Sequence, residues 1–495
     1  MLSTILFLDT KVVIDFRLVA KLLAPALFLF GIVAFIPAIY ALCNTTHGIG
    51  AFVATGIIGL FVSFCCHTLG KKAGQNPSIR VLFLFTTSLW VIVSLIAAIP
   101  FYYQLPDLSF SQSLFEACSG LSTTGSTVIT HLEQRPQAII LWRAILHYIG
   151  GVGFVALAVV ILPISAMGGM SIFKTESQSF DDSAKFTPHL KTMVISLFVW
   201  YVAILVTCTL FYVVGGFDIF TAITTAMSTV STGGMTTTDA SMNGTSPFIQ
   251  YVTIVFMLIS SCPFLLILSS LSGNFFKFFK DQQVKGFILL NVIVATAVAI
   301  SLIYMNDYDL EKAFRISFFN VVAVTSTTGY SLEDFTLWNP FASSLFLCIL
   351  AIGGCSGSTS GGIKTFRIQI CLSMFNTQLQ KLLHPHIVSE PRFNRKVIDP
   401  ATLSSVITYL VSYIFIAMLS SIVACSLGLD LGDSITATVS CLSNVGPAMG
   451  TTLNPSSNFS QVSNPLCLLF SVDMILGRLE ILPVLICFTR MFYKR

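Results

Sequence analysis

Ten apolar runs, each long enough to cross a lipid bilayer as a helix, divide the chain near 18–42, 50–70, 80–103, 138–163, 190–214, 248–276, 286–305, 341–372, 402–427 and 465–492. A hydrocarbon core about 30 Å thick takes roughly 20 mostly apolar residues per crossing. Charge is scarce to match: Asp, Glu, Lys and Arg make up 10% of the residues, against about 25% in soluble domains. A water-soluble enzyme is therefore excluded. The net charge of +4 points to neither nucleic acid nor an acidic partner. The 13 cysteines are adjacent only at Cys65-Cys66 and form no C-x-x-C. They read as small residues of membrane helices rather than as a disulfide frame or zinc site. The first run is too long for a signal-peptide core and no clear small-residue cleavage site follows it, so it counts as a real helix.

Basic residues set the orientation, because cytoplasmic segments keep an excess of Lys and Arg. With ten crossings, most of the 26 basic residues fall on one side, from Lys11, Arg17 and Lys21 through Lys174, Lys185 and Lys364 to Arg490, Lys494 and Arg495. The other side holds only Arg135, Arg143, Lys312 and Arg315, beside acids such as Asp107, Asp218, Asp309 and Asp430. Nine or eleven crossings would scatter these charges over both faces, so both termini are expected in the cytoplasm.

Four segments on the outer side share one plan: a short amphipathic stretch, a small-residue run ending in Gly, then a polar return to the next apolar run. Their cores are Ser122-Thr123-Thr124-Gly125, Val230-Ser231-Thr232-Gly233, Ser326-Thr327-Thr328-Gly329 and Ser443-Asn444-Val445-Gly446. In the second, Gly233 and Gly234 are adjacent, and either fits the equivalent place. The cores recur at spacings of roughly 100 residues, the mark of a repeated structural unit. Taken singly, each is also what a turn between membrane helices looks like; four at corresponding positions argue for more. Irregular backbone at membrane depth survives only where protein buries it or where it lines an aqueous path, so the four are expected to meet around one axis. Carbonyls turned to that axis replace an ion's hydration shell, and the C-terminal end of each preceding short helix favours a cation there.

Residues Gly353 to Lys364, Gly-Gly-Cys-Ser-Gly-Ser-Thr-Ser-Gly-Gly-Ile-Lys, interrupt the eighth run. They nearly spell a phosphate-binding loop, but Ile363 stands where that motif needs Lys, and no strand pattern precedes them. The run breaks its helix near mid-membrane, either as a passive kink or as backbone lining a cavity. Arg478, about thirteen residues into the last run, is the second outlier. A cation near the bilayer centre costs at least about 2.5–3.5 kcal/mol and usually faces an aqueous path or a partner. Asp473 and Glu480 are the candidate partners, both poorly spaced for Arg478 on a helix; the alternative is a guanidinium facing the permeation path. His147, His384 and His386 have no Cys or acidic cluster at ligand spacing and read as packed or solvated.

With Gly353–Lys364 and Gly477-Arg478-Leu479-Glu480, the four cores resemble the Trk/Ktr/HKT superfamily of potassium transporters over nearly the whole chain. Ten crossings with two leading helices are most similar to its TrkH/TrkG branch. The resemblance implies an all-α membrane protein of ten transmembrane helices around a pseudo-fourfold pore. Two leading helices would occupy 1–75. Helix-pore-helix repeats would follow over 76–165, 186–280, 281–372 (with a broken inner helix) and 401–495, with a cytoplasmic connector over 373–400. It implies potassium binding through backbone oxygens of Thr123, Thr124, Ser231, Thr232, Thr327, Thr328, Asn444 and Val445, with filter glycines Gly125, Gly233, Gly329 and Gly446. Relatives that favour sodium often carry Ser at the first of these glycines, so Gly125 speaks for potassium. It further implies a gate of Gly353, Gly354, Gly357, Gly361, Gly362, Lys364 and Arg478. Its expected partners are a second copy of the chain and a cytosolic TrkA-like nucleotide-binding ring docking near 373–400. The expected location is a bacterial inner membrane. Potassium would be cargo, with no organic cofactor and no covalent chemistry. A symporter coupling potassium to protons or sodium, and a non-conducting membrane sensor or scaffold, are the alternatives; the intact filter glycines argue against the latter.

Overall fold

The computed structural model describes residues 14–44, 48–74, 77–161, 186–271 and 276–493. Lys11, Lys174, Lys185, Lys494 and Arg495, and the expected boundaries at 75–76 and 165, lie outside them. The leading helices, Phe16–Val33 continuing as Phe35–Cys43, pack against Ile49–Gly70. They approach closely because the contact is built on glycine. A methyl on Gly59 would come within 3.0 Å of the Gly31 Cα, and one on Gly70 within 2.7 Å of the Lys21 Cα. Small residues let membrane helices bring their backbones together in this way.

Each repeat then begins with an outer helix: Ile79–Gln104, Phe186–Val214, Gln282–Asn306 and Pro400–Ser426. A short pore helix follows in each: Phe110–Leu121, Ile219–Val230, Leu310–Thr325 and Leu431–Ser443. The pore helices have 12, 12, 16 and 13 residues, about 18–24 Å at the helical rise, too short to cross. Polar residues start them: Ser109, Asp218, Asp309 and Asp430 are the N-caps. Ser109 forms a capping box with Gln112. Asp218 accepts from the Thr221 amide at 3.1 Å, and hydrogen bonding around Thr221 holds its carboxyl below the usual carboxylate range. Asp430 accepts from the Gly432 amide at 3.2 Å, so three of the four caps satisfy an orphan amide with their own side chain, whereas Asp309 makes no side-chain cap bond.

The inner helices differ from one another. The first, Gln137–Ile161, is continuous. The second breaks after Ser260 and resumes at Phe264 with a 95° bend. The third runs over Pro340–Ile349 and Thr365–Leu383 on either side of the glycine-rich loop, and the fourth over Asn464–Arg478 and Leu482–Cys487. Among the described residues, six helices are long and apolar enough to cross a membrane unbroken, and the bent second inner helix makes a seventh. The break at the glycine-rich loop is the one expected from sequence; the other two are new. The segment expected as a connector over 373–400 is helical to Leu383 and then forms a small antiparallel hairpin, pairing Arg392–Phe393 with Lys396–Val397.

One apolar core joins the leading helices to the first and fourth repeats, including Phe30, Trp142 and Phe470. A second joins the second and third repeats, with Tyr212, Phe319 and Phe346. Val445 of the fourth repeat belongs to the second core. The repeats thus pack side by side in a closed order.

Candidate functional site

All four pore helices end the same way. In the first, the Thr123 amide donates to the Gly120 carbonyl and the Thr124 amide to that of Ser119. Thr232 and Gly233 bond to Thr229 and Ser228, Thr327 and Thr328 to Val324 and Ala323, and Asn444 and Val445 to Cys441 and Ser440. This is the Schellman arrangement, which requires a left-handed residue at its corner. Thr123, Thr232, Thr327 and Asn444 supply it with φ of 55°, 53°, 57° and 55°. Asn tolerates this conformation. A β-branched residue there is strained, and such strain, about 1–3 kcal/mol per residue, persists only where the surroundings enforce it. Three threonines held this way mark the bends as backbone that the surrounding structure enforces.

Two residues beyond each corner the chain is left-handed again, at Gly125 (φ 89°), Gly234 (82°), Gly329 (77°) and Gly446 (107°). This settles the register of the second repeat and corrects the expectation there. Gly234, not Gly233, stands in the glycine place. The paired positions are Thr232 and Gly233, not Ser231 and Thr232, and Ser231 matches Ser122, Ser326 and Ser443 one place earlier. The backbone corner decides the alignment, which letter-matching of adjacent glycines left open.

The four glycines close a ring. A methyl on Gly125 would lie 2.2 Å from the Gly233 carbonyl oxygen, one on Gly234 1.8 Å from that of Thr328, one on Gly329 2.0 Å from that of Val445, and one on Gly446 2.7 Å from that of Thr124. Each repeat's glycine abuts the next repeat's preceding carbonyl, and the fourth returns to the first. Side chains stitch the seam between ends: Ser126 Oγ donates to the Gly446 carbonyl at 2.8 Å and Asn444 Nδ2 to Thr124 Oγ1 at 3.0 Å. The bends converge on one centre.

The TrkH family of cation transport proteins matches residues 48–494. The chain belongs to that family. Among its relatives, the Trk system potassium uptake protein TrkI of Halomonas elongata is 33% identical over 84% of each chain. The Trk system potassium uptake protein TrkH of Escherichia coli K12 is 30% identical over 97% of this chain and 99% of its own. The crystal structure of the potassium transporter TrkH from Vibrio parahaemolyticus superposes with a TM-score of 0.88 at 29% identity, covering 97% of this chain and all of that one. The relation thus extends over nearly the full length of this TrkH-family chain.

Beneath the ring lies the glycine-rich loop. Its ends, Ile352–Gly353 and Ile363–Lys364, pair as two short parallel strands. Gly353 has no room for a side chain, since a methyl there would meet the Gly361 carbonyl oxygen at 1.9 Å. Gly357 and Gly362 are left-handed, at φ 79° and 68°. The loop docks on the break in the second inner helix: the Cys355 amide donates to the Ser261 carbonyl at 2.9 Å, and the Phe264 amide to the Gly357 carbonyl at 3.0 Å. Two interrupted helices therefore satisfy each other's freed backbone groups, which a low-dielectric interior demands. The loop also touches the corners of the ring. Thr232 Oγ1 donates to Thr359 Oγ1 at 3.2 Å, and the Gly361 amide donates to Thr327 Oγ1 at 2.7 Å. A methyl on Gly361 would lie 2.5 Å from the Ser443 carbonyl oxygen and 2.9 Å from Asn444 Cβ. Gly354 is closed in by Ser360 and Ser261.

Arg478 is fully buried and ends the first part of the fourth inner helix. It donates to the Thr359 carbonyl of the loop at 2.7 Å and to the Gly150 carbonyl of the first inner helix at 3.2 Å. Of the two acids weighed as its partners, Glu480 pairs with Arg367 at 2.7 Å, and Asp473 accepts from Ser420 Oγ. Arg367 lies 3.8 Å from the centre of the Tyr409 ring. Lys364 is buried and donates to the Ser360 carbonyl, so it braces the loop from its own end.

Sequence reasoning did not foresee how two groups stand behind the ring. Glu116 and Arg143 form a fully buried ion pair at 2.8 Å. Glu116 also accepts from Thr127 Oγ1 and the Val128 amide, while Arg143 donates to the Thr236 carbonyl. The pair thus ties the return segments of the first two repeats together. His147, expected to be packed or solvated, is fully buried and lies directly behind Gly233. An acid in a pore helix and a base 27 residues later carry no local pattern that would pair them. The break near Ser261 had a signal, Pro263 inside an apolar run. Among the described residues no group of three or more His, Cys, Asp or Glu is placed to hold a metal ion.

Proposed function

We propose that the chain carries potassium inward across a bacterial inner membrane through the ring of main-chain oxygens. The observation that carries this reading is the closed cycle of four glycine-to-carbonyl contacts. A single such bend is a turn; four in a ring with left-handed corners form a rigid collar of carbonyls, which is how a protein replaces the hydration of a weakly hydrated monovalent cation. The oxygens would come from Thr123, Thr124, Thr232, Gly233, Thr327, Thr328, Asn444 and Val445. An inside-negative membrane potential supplies about 2.3 kcal/mol per charge per 100 mV.

The loop from Gly353 to Gly362, held by Lys364 and pinned by Arg478, acts as the gate. Its contacts with Thr232, Thr327 and Asn444 seat it against the inner end of the ring, and Arg478 adds a positive charge there. A cytosolic nucleotide-binding ring docks on the connector and hairpin between 373 and 400 and biases the loop, and two copies of the chain assemble in the membrane. Both termini lie in the cytoplasm. Rubidium uptake into vesicles holding the purified protein tests the transport reading. Uptake should rise with an inside-negative potential and resist excess sodium; uptake indifferent to voltage would exclude simple conduction. Arg478→Ala should raise basal uptake, whereas unchanged flux would return Arg478 to a structural role.

A further inference from the structure

The ring is not uniform in what stands behind it. In three repeats the residue before the glycine carries a buried side chain. Thr124 Oγ1 lies 2.6 Å from Ser122 Oγ, Thr328 Oγ1 lies 2.7 Å from Ser326 Oγ, and Val445 is packed in the second apolar core. In the second repeat that residue is Gly233, and the space its side chain would fill is taken by the imidazole of His147. A methyl on Gly233 would lie 2.1 Å from His147 Nδ1, 2.5 Å from Cγ and 2.6 Å from Cε1. The ring nitrogen is anchored in turn, with Nδ1 3.1 Å from Ser228 Oγ on the second pore helix. The helix bearing His147 reaches this depth because the next turn is Gly150-Gly151. A methyl on Gly150 would strike the Leu121 carbonyl oxygen at 1.9 Å, and one on Gly151 the Tyr201 hydroxyl at 2.4 Å.

We infer that His147 is a positioning residue of the ring, supplying from the first repeat the side chain that the second repeat lacks. This rests on the reading of the ring as the potassium path. Gly233 and Gly234 are consecutive, so the peptide between them is the least restrained in the ring. Its carbonyl is the one that meets Gly125. A wall behind that peptide keeps the oxygen directed with its three counterparts, and selectivity that depends on the number and field of aligned carbonyls depends on that wall. Gly233 is absent from the left-handed residues, so its backbone admits a side chain. What forbids one is the imidazole.

The test is a pair of substitutions and their combination, read as rubidium uptake and as the rubidium-to-sodium preference in the same vesicles. Gly233→Thr makes the second core identical to Ser122–Gly125 and Ser326–Gly329, with Ser231 placed to take the new hydroxyl. Alone it should abolish uptake, because threonine and imidazole claim one space. His147→Ala alone should keep uptake but lower the rubidium preference several-fold. Together the two should restore both uptake and preference toward the parent values. If His147→Ala does not assemble, recovery of assembled, selective protein in the double variant gives the same answer. A His147→Ala protein with the parent's preference, or a double variant no better than Gly233→Thr alone, would overturn the inference. A parent protein that takes up rubidium without preferring it over sodium would instead remove the reading of the ring, and this inference with it.

Discussion

At the scale of single residues, the ring is enforced by what cannot be added to it. Gly125 combines a left-handed φ of 89° with a carbonyl oxygen 2.2 Å from where a Cβ would stand. Gly125→Ala should therefore abolish rubidium uptake while the protein still assembles; uptake at the parent rate would show that the ring tolerates opening. The buried pair Glu116–Arg143 is a different kind of constraint. Removing one partner of such a pair costs about 3–5 kcal/mol, and removing both costs much less. Arg143→Met should lower the thermal unfolding midpoint markedly, and Glu116→Gln added to it should recover part of the loss. Two equal and additive losses would mean that the residues do not act as a pair. The threonine corners were legible in the sequence as candidate ligands, but not as strained backbone. The letters Ser-Thr-Thr-Gly do not say which residue turns left-handed, and in the second repeat that ignorance shifted the register by one.

Among the elements, the breaks in the inner helices matter more than the helices themselves. The glycine-rich loop was visible because so many glycines and hydroxyls in one apolar run have no helical explanation. Its docking site was not, since it lies on a second break, near Ser261, whose only local sign is Pro263. The two breaks exchange main-chain hydrogen bonds, so the loop's position is set by a partner far away in sequence. Gly354→Val, which would press on Ser360 and Ser261, should loosen that docking. Basal rubidium uptake should rise with an unchanged rubidium-to-sodium preference, because the ring is untouched; a fall in uptake with the preference intact would show that the docked loop is the conducting arrangement. The break at Glu480 and Ile481 is also strained, both residues having positive φ, 62° and 49°. No periodicity in the sequence announced it, and the ion pair from Arg367 to Glu480 shows how it is held.

For the whole molecule, composition and charge asymmetry carried the fold class, because a lipid-facing chain has few ways to satisfy its backbone. The fourfold plan was legible from recurrence, and the relation to the TrkH family extends over nearly the full chain. That the four bends would meet on one axis was legible too, but the contacts that close the ring were not, since those such as Gly446 with Thr124 join residues far apart in the sequence. The orientation belongs to this scale too. Single cysteines replacing Lys312 and Arg395 should react with a membrane-impermeant maleimide from outside and inside respectively, in a cysteine-depleted background; labelling of both from one side would refute the charge argument. The central claim is that the four carbonyl-bearing bends bind the permeating ion at their common centre. Its most direct test is the anomalous scattering of rubidium in crystals of the protein. A peak on the axis between Thr124, Gly233, Thr328 and Val445, displaced by potassium but not by sodium, is the result predicted. An empty ring in a protein that transports rubidium would contradict it.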